Sequence, residues 1–194
     1  MRRALRLATR SSAQARAQAE AAAALLTRHT GRAVEYVYVQ TTGDQRQDVP
    51  LHSIGGQGVF VKEVQRAVLD GRADFAAHSA KDLPSTTGEG LLIAAFCERR
   101  SPWDVMIGVP FAQLPRGATV ATGSVRRRAQ LTRLRPDLRF AELRGNIQTR
   151  LDKIPDGGSI VMAEAALQIL GLEDRIASRF RLDEMVPQAG QGCV

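Results

Sequence analysis

A chain of 194 residues with 44% hydrophobic side chains has enough apolar content for one large domain or two small ones, and no run of eighteen apolar residues that would cross a membrane. Its net charge of +7 is almost all arginine, lysine being confined to Lys62, Lys81 and Lys153. Two cysteines (Cys97, Cys193) and three histidines (His29, His52, His78) are too few and too unpatterned for a disulfide framework or a zinc site, so no metal is expected.

The start, Met1-Arg2-Arg3-Ala4-Leu5-Arg6-Leu7, alternates basic and apolar residues too briefly for a signal peptide, and the expected location is the cytoplasm. Aromatic content is only 5%, no nucleic-acid-binding signature is present, and the arginines are dispersed among strand-helix junctions. That dispersal favours a pocket for a small polyanion over a nucleic-acid surface, since guanidinium groups grip planar anions bidentately.

Leu5-Arg6-Leu7-Ala8-Thr9 reads as a first strand, and Ser11 or Ser12 caps an alanine-rich helix ending near Thr30-Gly31. Val34 to Val39 alternates as a second strand. The polar, glycine-bearing stretch 45–59, with Gly55-Gly56-Gln57-Gly58, reads as a lid loop, and a helical pattern follows from Phe60 to about Leu69.

Ala73 to Ala77 forms a short buried strand, closed by His78-Ser79-Ala80-Lys81-Asp82-Leu83-Pro84. Pro84 biases Leu83 towards extended backbone, which sets a cation beside an anion at a strand's carboxyl end, where open α/β sheets place ligands. Taken alone, Lys-Asp neighbours are usually solvated and a lone His beside a strand is usually a core residue.

Leu91 to Phe96 is read as a further strand, and the polar stretch from Cys97 to Asp104 as a crossover. A second α/β unit follows: strand Thr119-Val120-Ala121, turn Thr122-Gly123-Ser124, and a helix carrying Arg126, Arg127 and Arg128. Strand Arg139 to Leu143 then leads to Arg144-Gly145-Asn146 and a helix with Arg150.

Three strands thus end in small polar residues with arginine near a helix start, at Thr9-Arg10-Ser11-Ser12, Thr122 to Arg127, and Arg144-Gly145-Asn146. Helix amino termini expose N–H groups and partial positive charge, so each junction is a candidate carboxylate seat. For any single junction, plain capping is the better reading; three in one chain favour a ligand.

Ala8-Thr9-Arg10-x-Ser12, Phe60-Val61-Lys62-Glu63, His78-Ser79-x-Lys81-Asp82-x-Pro84, Cys97-Glu98-Arg99, Ser124-x-Arg126-Arg127, Leu143-Arg144-Gly145-Asn146-x-x-Thr149-Arg150 and Gly190-Gln191-Gly192 together resemble the porphobilinogen deaminase (hydroxymethylbilane synthase) family, in order and over nearly the whole chain. The resemblance implies an α/β fold with two lobes like type II periplasmic binding proteins, mixed sheets and helices on both faces. It implies a transferase that joins porphobilinogen units head to tail, releasing ammonia, on a dipyrromethane cofactor held by a cysteine.

By the same resemblance, Asp82 is the catalytic carboxylate. Lys81, Ser79, Thr122, Ser124, Arg126 and Arg127 bind cofactor, while Arg10, Ser12, Phe60, Arg144, Asn146, Arg150, Arg175 and Gln191 bind substrate. The expected organisation is a first lobe 1–98, a hinge 99–104, a second lobe 105–186, and a crossover 187–194 returning towards the first lobe.

The family's third domain, with its attachment cysteine, has no counterpart here; Cys97 matches a hinge cysteine that carries nothing, and Cys193 is the one other thiol. Ser53 and Gln57 stand at lid positions usually basic in bacterial members, and Gly123 replaces a hydroxyl residue. Either the chain is a fragment of a complete enzyme, or it is a short homologue acting on, or only binding, a pyrrolic polycarboxylate. The expected partners are small pyrrole carboxylates, with the chain a monomer or joined by a partner supplying the missing domain.

Overall fold

The computed structural model describes residues 3–45, 58 and 60–194; most of the expected lid, including Ser53 and Gln57, lies outside them. The chain divides into two compact units, Met1–Arg99 with Cys193–Val194, and Arg100–Gly192.

In the first unit β1 (Leu5–Arg10) leads into α1 (Ala13–Thr30), β2 (Val34–Val39) and the short α2 (Thr42–Gln45). After α3 (Lys62–Leu69) comes β3 (Phe75–Ala76). The sheet order is β2-β1-β3, with β1 parallel to both neighbours. Strand periodicity sends alternate residues to opposite faces. Leu7 packs with Ala19 and Ala23 of α1, whereas Ala8 packs with Val64 and Ala67 of α3. Gly31, at φ 67°, ends α1 in the left-handed conformation and donates its N–H to the Thr27 carbonyl.

The second unit holds β4 (Asp104–Gly108), β5 (Thr119–Ala121), α4 (Val125–Leu134), β6 (Arg139–Ala141), α5 (Ile147–Leu151), β7 (Ser159–Ala163), α6 (Glu164–Gln168) and β8 (Ser178–Arg179). Its sheet runs β6-β5-β7-β4-β8, with β4 antiparallel to β7 and β8 and β5 parallel to β6 and β7. Val105, Ile107, Ile160 and Met162 face α5 and α6, while Met106, Val120 and Val161 face Leu131 of α4. A mixed α/β architecture with helices on both faces is therefore present.

Leu91–Phe96 departs from expectation: it is not a strand, and Leu92, Ile93 and Phe96 are exposed. A strand needs a neighbour for its backbone groups, and no described strand flanks this run. Among the described residues its backbone bonds lie at its margins, Leu91 N to Gly88 O and Cys97 N to Val194 O. The expected strand 73–77 shortens to β3, because Ala73 N instead bonds the Ala67 carbonyl at the end of α3.

Candidate functional site

In the first unit, β1 and β3 end on the same edge of the parallel sheet. Beyond β3 the chain turns through a single 3₁₀ turn, Ala80–Asp82, closed by Asp82 N to Ser79 O at 2.9 Å and Leu83 N to Ala80 O at 3.2 Å. Leu83 is extended, as expected of a residue before proline. The turn is braced from the chain's end, where the Cys193 carbonyl accepts from Ala80 N at 3.0 Å.

A pocket opens at this edge, lined by Arg10, Gln18, Phe60, His78, Ser79 and Asp82, with Ala15 and Ala77 as its small walls. The Arg10 guanidinium lies 4.2 Å from the centre of the Phe60 ring, a cation stacked on an aromatic face. Gln18, on the second turn of α1, exchanges hydrogen bonds with the Ser79 hydroxyl at 2.9 and 3.2 Å. Ser12 caps α1, accepting from Ala15 N at 3.4 Å. Lys81 lies in the turn between Ser79 and Asp82.

Burial pushes the His78 imidazole down to about 4, with the Arg10 charge adding to the effect, so it is neutral at physiological pH. Its Nε2 is buried and makes no hydrogen bond among the described residues.

The second unit presents its predicted residues differently. Ser124 caps α4 by accepting from Arg127 N at 3.4 Å, and Thr122 Oγ1 accepts from Ser124 N at 3.2 Å. Arg127, expected at a cofactor carboxylate, is buried instead: it donates to Asp104 Oδ1 and to the Val161 carbonyl. Arg126 Nη2 sits 2.7 Å from Asp104 Oδ2, and its Nη1 donates to Val186 O at 2.5 Å. Gln191, expected at substrate, is 1% exposed and donates to Asp104 Oδ1 and the Pro102 carbonyl. The physical reason is Asp104, a carboxylate at the start of a buried strand that has to be matched by cations and donors from its own unit.

Asn146 caps α5 through Thr149 N at 2.9 Å, and Arg150 Nε donates to Gly145 O at 2.8 Å. The Arg144 carbonyl accepts from Lys153 at 3.3 Å. Arg175 ends an exposed 3₁₀ turn, Glu173–Arg175. The capping reading thus holds at all three junctions.

The family model described as porphobilinogen deaminase, dipyromethane cofactor binding domain, matches residues 5–194. The chain belongs to the porphobilinogen deaminase family. Among solved structures it is similar to a double mutant of the VFT2 domain of BvgS from Bordetella pertussis, at 18% identity over 92% of this chain and 76% of that one, with a TM-score of 0.47. The periplasmic VFT2 domain of BvgS is matched at 19% identity over 83% and 64%, with a TM-score of 0.38.

A dipyrromethane needs acceptors for its pyrrole N–H groups and cations for its carboxylates. The first unit supplies both kinds, with Asp82 as acceptor and Arg10 and Lys81 as cations, so these residues fit the group. Cys97 and Cys193 are both unbridged and partly buried. Among the described residues there is no metal-ligand cluster, and no helix long and apolar enough to cross a membrane.

Two residues escaped the sequence reading. Gln18 was hidden in an alanine-rich helix; the one available signal is Gln14 and Gln18 four apart on one face. Asp104 was read only as part of a crossover, although an acidic residue opening an apolar strand is itself a sign of a buried partner.

Proposed function

We propose that the chain is a porphobilinogen-deaminase-type transferase of tetrapyrrole biosynthesis, acting in the cytoplasm on porphobilinogen and building a linear oligopyrrole, hydroxymethylbilane, with release of ammonia. The observation that carries this reading is the pocket of the first unit, where Asp82, the Arg10–Phe60 stack, Ser79 and His78 line one cavity.

Loss of ammonia from the aminomethyl arm leaves a cationic azafulvene. The Asp82 carboxylate accepts from the pyrrole N–H and opposes the developing positive charge, which lowers the barrier electrostatically. Phe60 covers one face of a pyrrole ring, and Arg10 with Lys81 holds acetate and propionate groups so that the reacting carbons meet in register. Ser12 and Ser79 add polar contacts, with Ser79 oriented by Gln18. In the second unit Ser124, Thr122, Arg144, Asn146, Arg150 and Arg175 are the residues we assign to chain and cofactor carboxylates. Arg126 joins them through its partial exposure, while Arg127 and Gln191 position it by way of Asp104. When bound, dipyrromethane would supply the nucleophilic α-carbon to which the first porphobilinogen is joined.

Asp104 already neutralises part of the Arg126–Arg127 pair, which favours a second reading: a homologue that binds a pyrrolic polycarboxylate, or performs only part of the reaction. Incubation with porphobilinogen, with ammonia assayed and products identified by mass spectrometry, separates the two. Ammonia with oligopyrroles supports the transferase; bound, unchanged porphobilinogen supports the binding protein. The intact mass of the purified chain tests for a dipyrrole on Cys193.

A further inference from the structure

The motif at 78–84 contains one group that the mechanism above leaves without a task. His78 lines the pocket beside Asp82 and Arg10, yet its Nε2 is buried and finds no hydrogen-bond partner among the described residues. A buried polar nitrogen without a protein partner is unusual in folded proteins and calls for a bound group, a water or a functional role to account for it. The Arg10 cation next to it opposes protonation, and burial acts in the same direction. In the neutral tautomer that carries its proton on Nδ1, the ring offers Nε2 as an acceptor.

What the pocket otherwise provides is asymmetric. Arg10, with Lys81 in the adjoining turn, answers carboxylates, and Asp82 answers the pyrrole N–H. A substrate that loses ammonia also carries an aminomethyl arm, an ammonium ion with three N–H donors that neither cation can accept. We propose that His78 Nε2 is the acceptor for this ammonium and selects pyrroles that carry it. The inference rests on the porphobilinogen reading given above.

The balance of the step is simple. The C–N bond of the ammonium arm breaks with both electrons leaving on nitrogen, so neutral ammonia departs and the positive charge stays on the azafulvene opposite Asp82. The neutral imidazole neither gains nor loses a proton; it fixes the leaving nitrogen in place beforehand. Apo hydrogen bonds at such sites commonly form only when substrate tightens the pocket.

The test compares wild type with His78→Phe and His78→Gln, titrated with porphobilinogen and with the same pyrrole whose aminomethyl arm is replaced by methyl. A hydrogen bond to a charged group predicts that His78→Phe weakens porphobilinogen binding about tenfold or more. The amide oxygen of His78→Gln should restore most of it, and the methyl pyrrole should bind all three proteins equally. Equal porphobilinogen binding by wild type and His78→Phe overturns the inference and leaves the transferase reading intact, as does an equal loss for both pyrroles. Failure of wild type to bind porphobilinogen removes the transferase reading and this inference with it. If His78→Phe does not fold, ¹⁵N spectra of the ring nitrogens in wild type decide: an Nε2 resonance unmoved by saturating porphobilinogen contradicts the assignment.

Discussion

Arg127 grips a single oxygen of Asp104 twice, Nε and Nη2 both donating to Oδ1 at 3.0 and 2.7 Å, while Gln191 Nε2 donates to the same atom at 3.0 Å. Burial alone would raise the Asp104 carboxyl, but the guanidinium charges of Arg127 and Arg126 outweigh it and hold it below its ordinary value. Asp104→Asn removes a carboxylate that balances two buried or half-buried guanidinium groups. Breaking such a network costs about 3–5 kcal/mol, so urea unfolding should shift to a clearly lower midpoint with an unchanged slope.

His78 makes stability depend on pH in a calculable direction. Its folded value of about 4 lies below the ordinary 6.5, so the unfolded chain takes up a proton that the folded chain refuses. The contribution is complete above about pH 6.5 and is lost as pH falls towards 4, amounting to at most roughly 3 kcal/mol. Urea melts at about pH 7.5 and about pH 4.5 should therefore show wild type losing more stability than His78→Phe, in which the titrating ring is gone.

Gly43 lies against the Phe60 ring. A Cβ at Gly43 would meet Phe60 Cδ1 at 2.5 Å and Cζ at 2.8 Å, so the ring must move. Because that ring carries the Arg10 guanidinium, Gly43→Ala should disturb the pocket more than the fold. The expected result is porphobilinogen affinity lowered by roughly threefold to tenfold, the range of a cation–π contact of ~0.5–1 kcal/mol plus lost ring coverage, with little change in the melting curve.

Strands β1, β2, β5 and β6, the helix stop at Gly31 and the caps at Ser12, Ser124 and Asn146 were legible because periodicity and capping are local physics, whereas β4, β7 and β8 were not read. The run Leu91–Phe96 was misread because pairing, unlike apolarity, is not written in a single segment. The ordered motifs indicated the pocket residues, whereas the Asp104 network joins Asp104, Arg127 and Gln191 across 87 positions, and its one local sign is the acidic residue that opens β4. Arginine at a helix start reads the same whether it faces a ligand or a buried carboxylate.

Asp82 bears the central claim. Ammonia release and oligopyrrole formation from porphobilinogen should be measured for wild type and Asp82→Asn, with ligand binding followed in parallel. The account predicts that the amide, unable to oppose a cation, binds the pyrrole within a few-fold of wild type but condenses it at least about a hundredfold more slowly, in line with the loss of a single electrostatic catalytic group. Turnover by Asp82→Asn equal to that of an active wild type would contradict it.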